Sequence, residues 1–161
     1  MPDRPRSDTP HRAGTGTNWN ALLRLVQQGF AYMETRIDPP SSMHRLTEEI
    51  IARHADEQEI WIIGEAAAPV ACMFLTEKPD SLYVGKVAVA ESHRGKGLAR
   101  LLIDCAADRA RAKGLPALEL QSRVELTEVH ATFSNMGFVK TGEDAHAGYD
   151  RPTSITMRRH L

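Results

Sequence analysis

The sequence predicts an α+β domain, a mixed sheet with helices packed on it, and three observations carry that prediction. Segments of helical and of strand periodicity both occur. They run in the order helix, helix, three strands, helix, strand, helix, two strands, which is not the regular alternation of a doubly wound sheet. The 161 residues show no internal repeat and no interdomain linker, and that length suits one domain with a real core.

The elements follow in chain order. MPDRPRSDTPHRAGTGTN is rich in Pro, Gly, Thr and Arg and has no apolar run. Residues 1–17 are therefore expected to be largely disordered or loosely attached, with a single domain over residues 18–161. NWNALLRLVQQGFAYMETRI is a helix: Leu22, Leu25, Val26, Phe30 and Met33 recur at helical spacing, and Asn18 is placed to cap it. DPPSS stops it, because proline lacks the N–H and restricts its predecessor. MHRLTEEIIARHA reads as a second helix, capped by Ser41 or Ser42, with Leu46, Ile50 and Ile51 inward.

EIWIIGEA, PVACMFLTEK and SLYVGKVAVA read as three strands, with Pro79-Asp80 marking the second turn. In the third, Leu82, Val84, Val87 and Val89 alternate imperfectly, and the slip beside Gly85 marks a β-bulge. LARLLIDCAADRARAK is a helix with Leu98, Leu101, Leu102 and Cys105 on one side and DRARAK as a solvated face. Gly114 and Pro116 end it. ALELQSRV is a strand, and LTEVHATFSNM a short helix with Val129, Phe133 and Met136 inward. FVKTG and TSITMRR are two last strands around the loop EDAHAGYDRP.

Composition excludes several classes. With 42% hydrophobic and 25% charged residues and a net charge of −1, the chain is a soluble globular type and lacks the basic excess of a nucleic-acid binder. No apolar stretch approaches the roughly 20 residues of a membrane span, and the N-terminus lacks the apolar segment of a signal peptide. Cys72 and Cys105 make no disulfide framework and read as buried free thiols of a cytoplasmic protein. The seven histidines form no ligand cluster, so no metal is expected.

The stretch ESHRGKGLARLL concentrates glycine and positive charge just before a helix. The first amides of a helix have no intrahelical partner, and the dipole places about half a positive charge there. A strand, a Gly-containing loop and a helix start together make a diphosphate cradle. Gly95 and Gly97 free the backbone; Arg94 and Lys96 add charge. The GKS/T ending of a Walker loop is missing, and Arg100 stands where a dinucleotide fingerprint has its third glycine.

RGKGLA matches the Arg/Gln-x-x-Gly-x-Gly/Ala signature, with Arg94, Gly97 and Ala99 at its defining positions. Together with VAVAESH before it, the helix after it and NMGF ahead of a strand, it makes Asn18 to Arg159 resemble the GNAT superfamily of acyl-CoA-dependent N-acyltransferases. The resemblance implies a mostly antiparallel central sheet with a splayed strand pair and about four flanking helices. It implies acetyl-CoA as co-substrate, held by Val87, Ala88, Val89 and the loop Arg94, Gly95, Lys96, Gly97, Leu98 and Ala99. Arg100 or Lys96 is within the stretch that would meet the 3′-phosphate. It also implies direct attack by an amine, with the Val87 N–H as donor to the oxyanion.

The general acid and base are less plain. Where many relatives carry an acidic tyrosine, this chain has Phe133, and no helix-opening asparagine stands near Leu126. Tyr83 occupies the place of a relative's base; it is a water-holding group or simply a packed strand aromatic. Tyr149 and His146 in the late loop are the other candidates. Acceptor specificity in the family comes from the first helices and the late loop, here YMETRIDPPSSMHR and EDAHAGYDRP. They offer Asp38 for an ammonium, Arg36 or Arg151 for a carboxylate, and Ser42 and His146 as polar contacts. The resulting expectation is N-acetylation of a small-molecule or amino-acid-like primary amine. The alternatives are a CoA-binding module without turnover, which Phe133 keeps open, and an acetyltransferase of protein N-termini or lysines. A homodimer is compatible with the late strands, though TSITMRR does not require one.

Overall fold

In the computed structural model, which describes residues 9–161, consecutive apolar residues of the middle strands feed two different cores. Along β2 (Glu59–Glu65) and β3 (Ala68–Glu77), Ile63, Ala71, Met73 and Leu75 enter one cluster, while Ile60, Ile62, Cys72 and Phe74 enter another. Side chains alternate across a strand, so an unbroken apolar run means both faces are covered. α3 (Leu98–Ala112) covers the first face with Leu98, Leu102, Ile103, Ala106, Ala107 and Ala110. α1 (Trp19–Ala31) and α2 (Glu48–Glu57) cover the second with Leu22, Leu25, Val26 and Ile51.

The other strands are β1 (His11–Arg12), β4 (Leu82–Val89), β5 (Ala117–Arg123), β6 (Val139–Asp144) and β7 (Ser154–His160), and the fourth helix is α4 (Thr127–Ser134). The sheet order is β1-β2-β3-β4-β5-β7-β6. Every neighbouring pair is antiparallel except β4 and β5, which are parallel. This is the mixed α+β sheet that the sequence predicts.

Two irregularities in β4 position the site. Cys72 pairs with Ala88 and Phe74 with Gly85, so β4 spends one residue more than β3 across that interval. The extra residue falls at Lys86–Val87, with Lys86 at φ +49. The bulge explains the imperfect alternation: Leu82, Val84, Val87 and Val89 all reach the α3 side, while Ala88 turns to the α1 side. The second irregularity is a parting of strands. β4 pairs with β5 only at Leu82–Leu118 and Tyr83–Glu119, whereas β5 stays paired with β7 from Ala117 to Arg123. Beyond Tyr83 the backbone groups that β4 turns toward β5 have no strand partner.

Three expectations are corrected. His11 and Arg12 pair with Ile62 and Trp61, and the buried Ala13 donates its N–H to the Ile60 carbonyl at 2.8 Å, so residues 11–13 are attached to the sheet rather than loose. A two-residue strand has no periodicity to read; the open edge of β2 recruits it. Residues 1–8 of that segment lie outside the described residues. The second helix is two pieces. Ser41 caps a 3₁₀ turn over Ser42–Arg45, Leu46 becomes extended, and Thr47 caps α2 by accepting from the Ile50 N–H at 3.2 Å. Ile50 therefore faces solvent, 48% exposed, and only Leu46 and Ile51 turn inward. The DRARAK face is not simply solvated, since Arg109 and Lys113 both bind Glu59.

Candidate active site

The loop between β4 and α3 is shaped by conformation, not by crowding. After a 3₁₀ turn over Glu91–His93, Gly95 and Gly97 both take φ +76, and a Cβ added at either would meet nothing within 4 Å. The left-handed backbone is what demands glycine here. Gly97 is the N-cap of α3, and no side chain caps that helix. The first bond back into the loop is from Leu101 N–H to the Gly97 carbonyl at 3.1 Å, so the amides of Leu98, Ala99 and Arg100 precede the helical ladder. Arg94 folds back, its Nε donating to the Val89 carbonyl at 3.3 Å; Arg100 reaches the Asn135 carbonyl at 3.4 Å; Lys96 is exposed. Free amides, a helix dipole and flanking cations together favour a polyanion such as a diphosphate.

In the gap between the parted strands lies a cavity of about 420 Å³. β4 contributes Tyr83, Gly85, Lys86 and Val87 to its wall, and β5 contributes Leu120, Gln121, Ser122 and Arg123. Across from them stand Phe30, Tyr32 and Met33 at the end of α1, Ser41–Met43, Val129 and Phe133 of α4, and His146 and Ser154. Met33, Ile37 and Leu126 form a small apolar cluster of their own at this cavity. Two glycines keep the space. A Cβ at Gly29 would come within 3.0 Å of the Ala88 Cβ, so α1 lies close on β4. At Gly85 it would meet the Tyr83 ring at 3.1 Å.

The ionisable groups in this wall are perturbed by burial. Desolvation raises the Tyr83 phenol above its ordinary value, Glu119 adds to the rise, and a bond from the Gln121 backbone opposes it. Tyr83 thus keeps its proton near neutral pH and is a donor, not a base. Lys86 is lowered, again chiefly by burial; its ammonium lies over the Phe74 ring, 5.3 Å from the centroid, and makes no ion pair among the described residues. Burial also raises Tyr32, with Glu128 second. Phe133 packs edge-on against Phe138 at 5.7 Å and offers no proton. The thiols are poorly ionised: burial pushes Cys72 up to about 12 and Cys105 up to about 11.

The sequence-predicted residues divide between the cavity and its rim. Val87, Tyr83, Ser42 and His146 line the cavity. Ala88 and Val89 continue β4 past the bulge toward Arg94, Gly95, Lys96, Gly97, Leu98 and Ala99. Arg36, Asp38 and Tyr149 do not line it. Arg36 pairs with Glu128, and Asp38 accepts from the Tyr149 hydroxyl at 2.6 Å and from Arg151 at 3.3 Å. These contacts tie the segment after α1 to α4 and to the late loop, so the charges offered for an acceptor are spent on one another. The Tyr149 phenol is raised first by that bond to Asp38. His146 is held by Thr153, whose hydroxyl meets both its backbone N–H and its Nδ1. Sequence reasoning missed Tyr32, Lys86 and Arg123. The bulge was the one available signal, because the residue beside it must turn out of the strand's alternation.

The model of the acetyltransferase (GNAT) family matches residues 19–138, and the chain belongs to that family. It is thus an acyltransferase. No curated protein matches its sequence. Solved structures share its fold. A GNAT acetyltransferase from Staphylococcus aureus Mu50 superposes with a TM-score of 0.72 at 14% identity, covering 95% of this chain and 98% of the other. A GNAT acetyltransferase from Elizabethkingia anophelis, with acetyl-CoA bound, gives 0.65 at 17% identity over 95% and 97%. The ribosomal-protein-S18-alanine N-acetyltransferase of Escherichia coli gives 0.67 at 18% identity over 94% and 92%. Among the described residues no helix is long and apolar enough to cross a membrane, and no group of three or more His, Cys, Asp or Glu is placed to hold a metal ion.

Proposed function

We propose that this chain moves an acetyl group from acetyl-CoA to the primary amine of a small-molecule or amino-acid-like acceptor by direct attack. One observation carries the reading: the uncapped mouth of α3, with Gly95 and Gly97 both left-handed, opens at the end of a bulged strand that has parted from its neighbour. The residues fit CoA in kind. The amides of Leu98, Ala99 and Arg100 suit its diphosphate, Lys96 supplies charge, and the edge of Val87–Val89, which has no strand partner though Arg94 meets the Val89 carbonyl, suits the amides of its pantetheine arm, as in strand augmentation. Acetyl-CoA supplies an activated thioester. The Val87 N–H is the donor for the oxygen that gains charge.

An acceptor amine must reach the cavity neutral, since only that form attacks. Tyr83, protonated and set in the gap, holds a water that takes up the departing proton. Neither cysteine need act: the raised thiols suit a route without an acyl-enzyme. With Phe133 in the place of an acid, the CoA thiolate leaves unassisted or takes its proton from water; a thiol pKa of about 8.5 makes it a tolerable leaving group.

Two measurements test the reading. CoA and acetyl-CoA should each raise the melting temperature, as any ligand of the folded state does. Thiol release from acetyl-CoA, followed over a panel of amines, amino acids and a lysine peptide, should appear with small amines. A thermal shift without turnover on any acceptor would instead make the chain a CoA-binding module. No shift with CoA would remove the proposal altogether.

A further inference from the structure

The charged side chains lining the cavity are of one sign. Among the described residues, no Asp or Glu lines it, whereas Lys86 and Arg123 do. Neither Lys86 nor Arg123 has a carboxylate partner among the described residues. Around the rim, Asp38 holds Tyr149 and Arg151 and Glu128 holds Arg36; Glu125 accepts from the Asp38 N–H at 3.0 Å through Oε2, while its Oε1 is buried without a partner and does not line the cavity. Arg123 is fixed at the end of β5 by donating to the carbonyls of Pro39 at 2.7 Å and Pro40 at 3.2 Å. Two bonds leave a guanidinium with donors to spare, and its fork is preset for an oxyanion.

We infer that the acceptor is an amine that also carries an oxyanion, a carboxylate or a phosphate, bound between Arg123 and Lys86. This rests on the proposed acetyl transfer and names its substrate class. A half-buried cation without a counter-ion costs desolvation that the Phe74 ring under Lys86 and the two carbonyls at Arg123 recover in part and an anionic ligand recovers further. The same two charges disfavour an ammonium in the cavity, and so help the acceptor's amine to shed its proton. A cationic wall also makes a polycationic peptide a poor acceptor. Arg123 and Lys86 are then specificity residues, and neither takes part in bond making.

The test compares acceptors on one skeleton: phenylalanine, its amide, phenethylamine and the matching aminophosphonate, repeated for the alanine and leucine series. The acid or the phosphonate of some series is expected to exceed its amide and plain amine by about 100-fold in kcat/KM, and which of the two leads tells carboxylate from phosphate. Arg123→Met should cut the anionic acceptor at least about tenfold more than the plain amine. Arg123→Lys should restore part of that loss, and Lys86→Met should shift the ratio the same way. Plain amines or amides equal to the acids in the native protein would overturn the inference. So would variants that depress every acceptor alike, the mark of a structural role for the Pro39–Pro40 contact. A second readout stands apart from turnover: N-acetylphenylalanine, but not N-acetylphenethylamine, should raise the melting temperature with or without CoA, and Arg123→Met or, if that variant does not fold, Lys86→Met should abolish the rise. Equal or absent shifts overturn the inference even where thiol release succeeds. A CoA shift that fails while this one holds would instead fault the acetyl-transfer reading.

Discussion

The two ends of α3 are built on opposite principles. At its C-terminal end charge is paired with charge. Glu59, its side chain only 5% exposed, accepts from the Trp61 indole at 2.8 Å, from Arg109 at two oxygens, each at 2.8 Å, and from Lys113 at 2.9 Å. The cations also sit where the helix dipole is negative. At its N-terminal end the chain supplies no cap and no carboxylate, but two left-handed glycines and exposed positive charge. One end secures the helix on the sheet, which lets the other stay uncapped, as the proposed CoA site requires. A helix held only at its open end would lose its geometry whenever the ligand left.

The largest effect should come from the satisfied end. Glu59→Gln leaves two cations facing a neutral amide. Breaking a buried pair costs about 3–5 kcal/mol; Arg109 is 31% and Lys113 24% exposed and each regains some water, so about 2–3 kcal/mol is expected here. In a chain of this length that is a fall of roughly 5–10 °C in melting temperature. The sign of the pH dependence follows from Glu59, which the bond to Arg109 first, and those to Lys113 and Trp61 after burial's opposing push, hold far below its ordinary 4.5. A depressed carboxylate contributes fully above its unfolded value and loses that contribution as pH falls below it. The native advantage over Glu59→Gln should therefore be constant near neutral pH and shrink progressively below about pH 4.5. The shift that CoA causes should survive in the variant. If it does not, the two ends are not independent.

The open end should respond in the reverse way. Gly97→Val forces a β-branched residue to φ +76, a strain of about 1–2 kcal/mol, so the loop reshapes before the helix suffers. CoA affinity should fall at least about tenfold, while the melting temperature of the free protein drops less than in Glu59→Gln. Isothermal titration gives the first quantity and circular dichroism the second. Unchanged CoA affinity in a folded variant would show that the diphosphate is held elsewhere.

The contrast extends to what could be read in advance. The loop's geometry was legible because it is set locally: glycine spacing, the charges beside it and the helix that follows are all contiguous in sequence. The bulge was legible too, since a slipped alternation at Val84 and Val87 leaves a trace. The cavity wall was legible only in part. Ser42 and His146 are polar contacts the sequence offers, whereas Lys86 and Arg123 are not; the four arrive from separate segments, and the parting of β4 from β5 opens the space they share. The rim misled for a related reason. Arg36 and Asp38 look like acceptor contacts when read alone, because a local sequence does not show Glu128 and Tyr149 waiting 92 and 111 positions further on. The charged run DRARAK hid Arg109 and Lys113 in the same way, since their partner Glu59 lies two strands and a long loop earlier.

The smallest effect separates the two sources of attraction at the open end. Fixed amides act at contact distance and respond less to salt; Lys96 is exposed and acts through water, so ions screen it within about 4 Å at 0.5 M but only about 14 Å at 0.05 M. Lys96→Ala should therefore weaken CoA binding by about threefold at low salt and by almost nothing at high salt, with the melting temperature of the free protein unchanged. Titrations of native and variant protein at the two ionic strengths measure this directly. A loss that persists at high salt would mean that Lys96 makes a direct, desolvated contact with the phosphates. The cradle would then owe part of its grip to a side chain, and the division between a backbone-built end and a side-chain-built end of α3 would have to be redrawn.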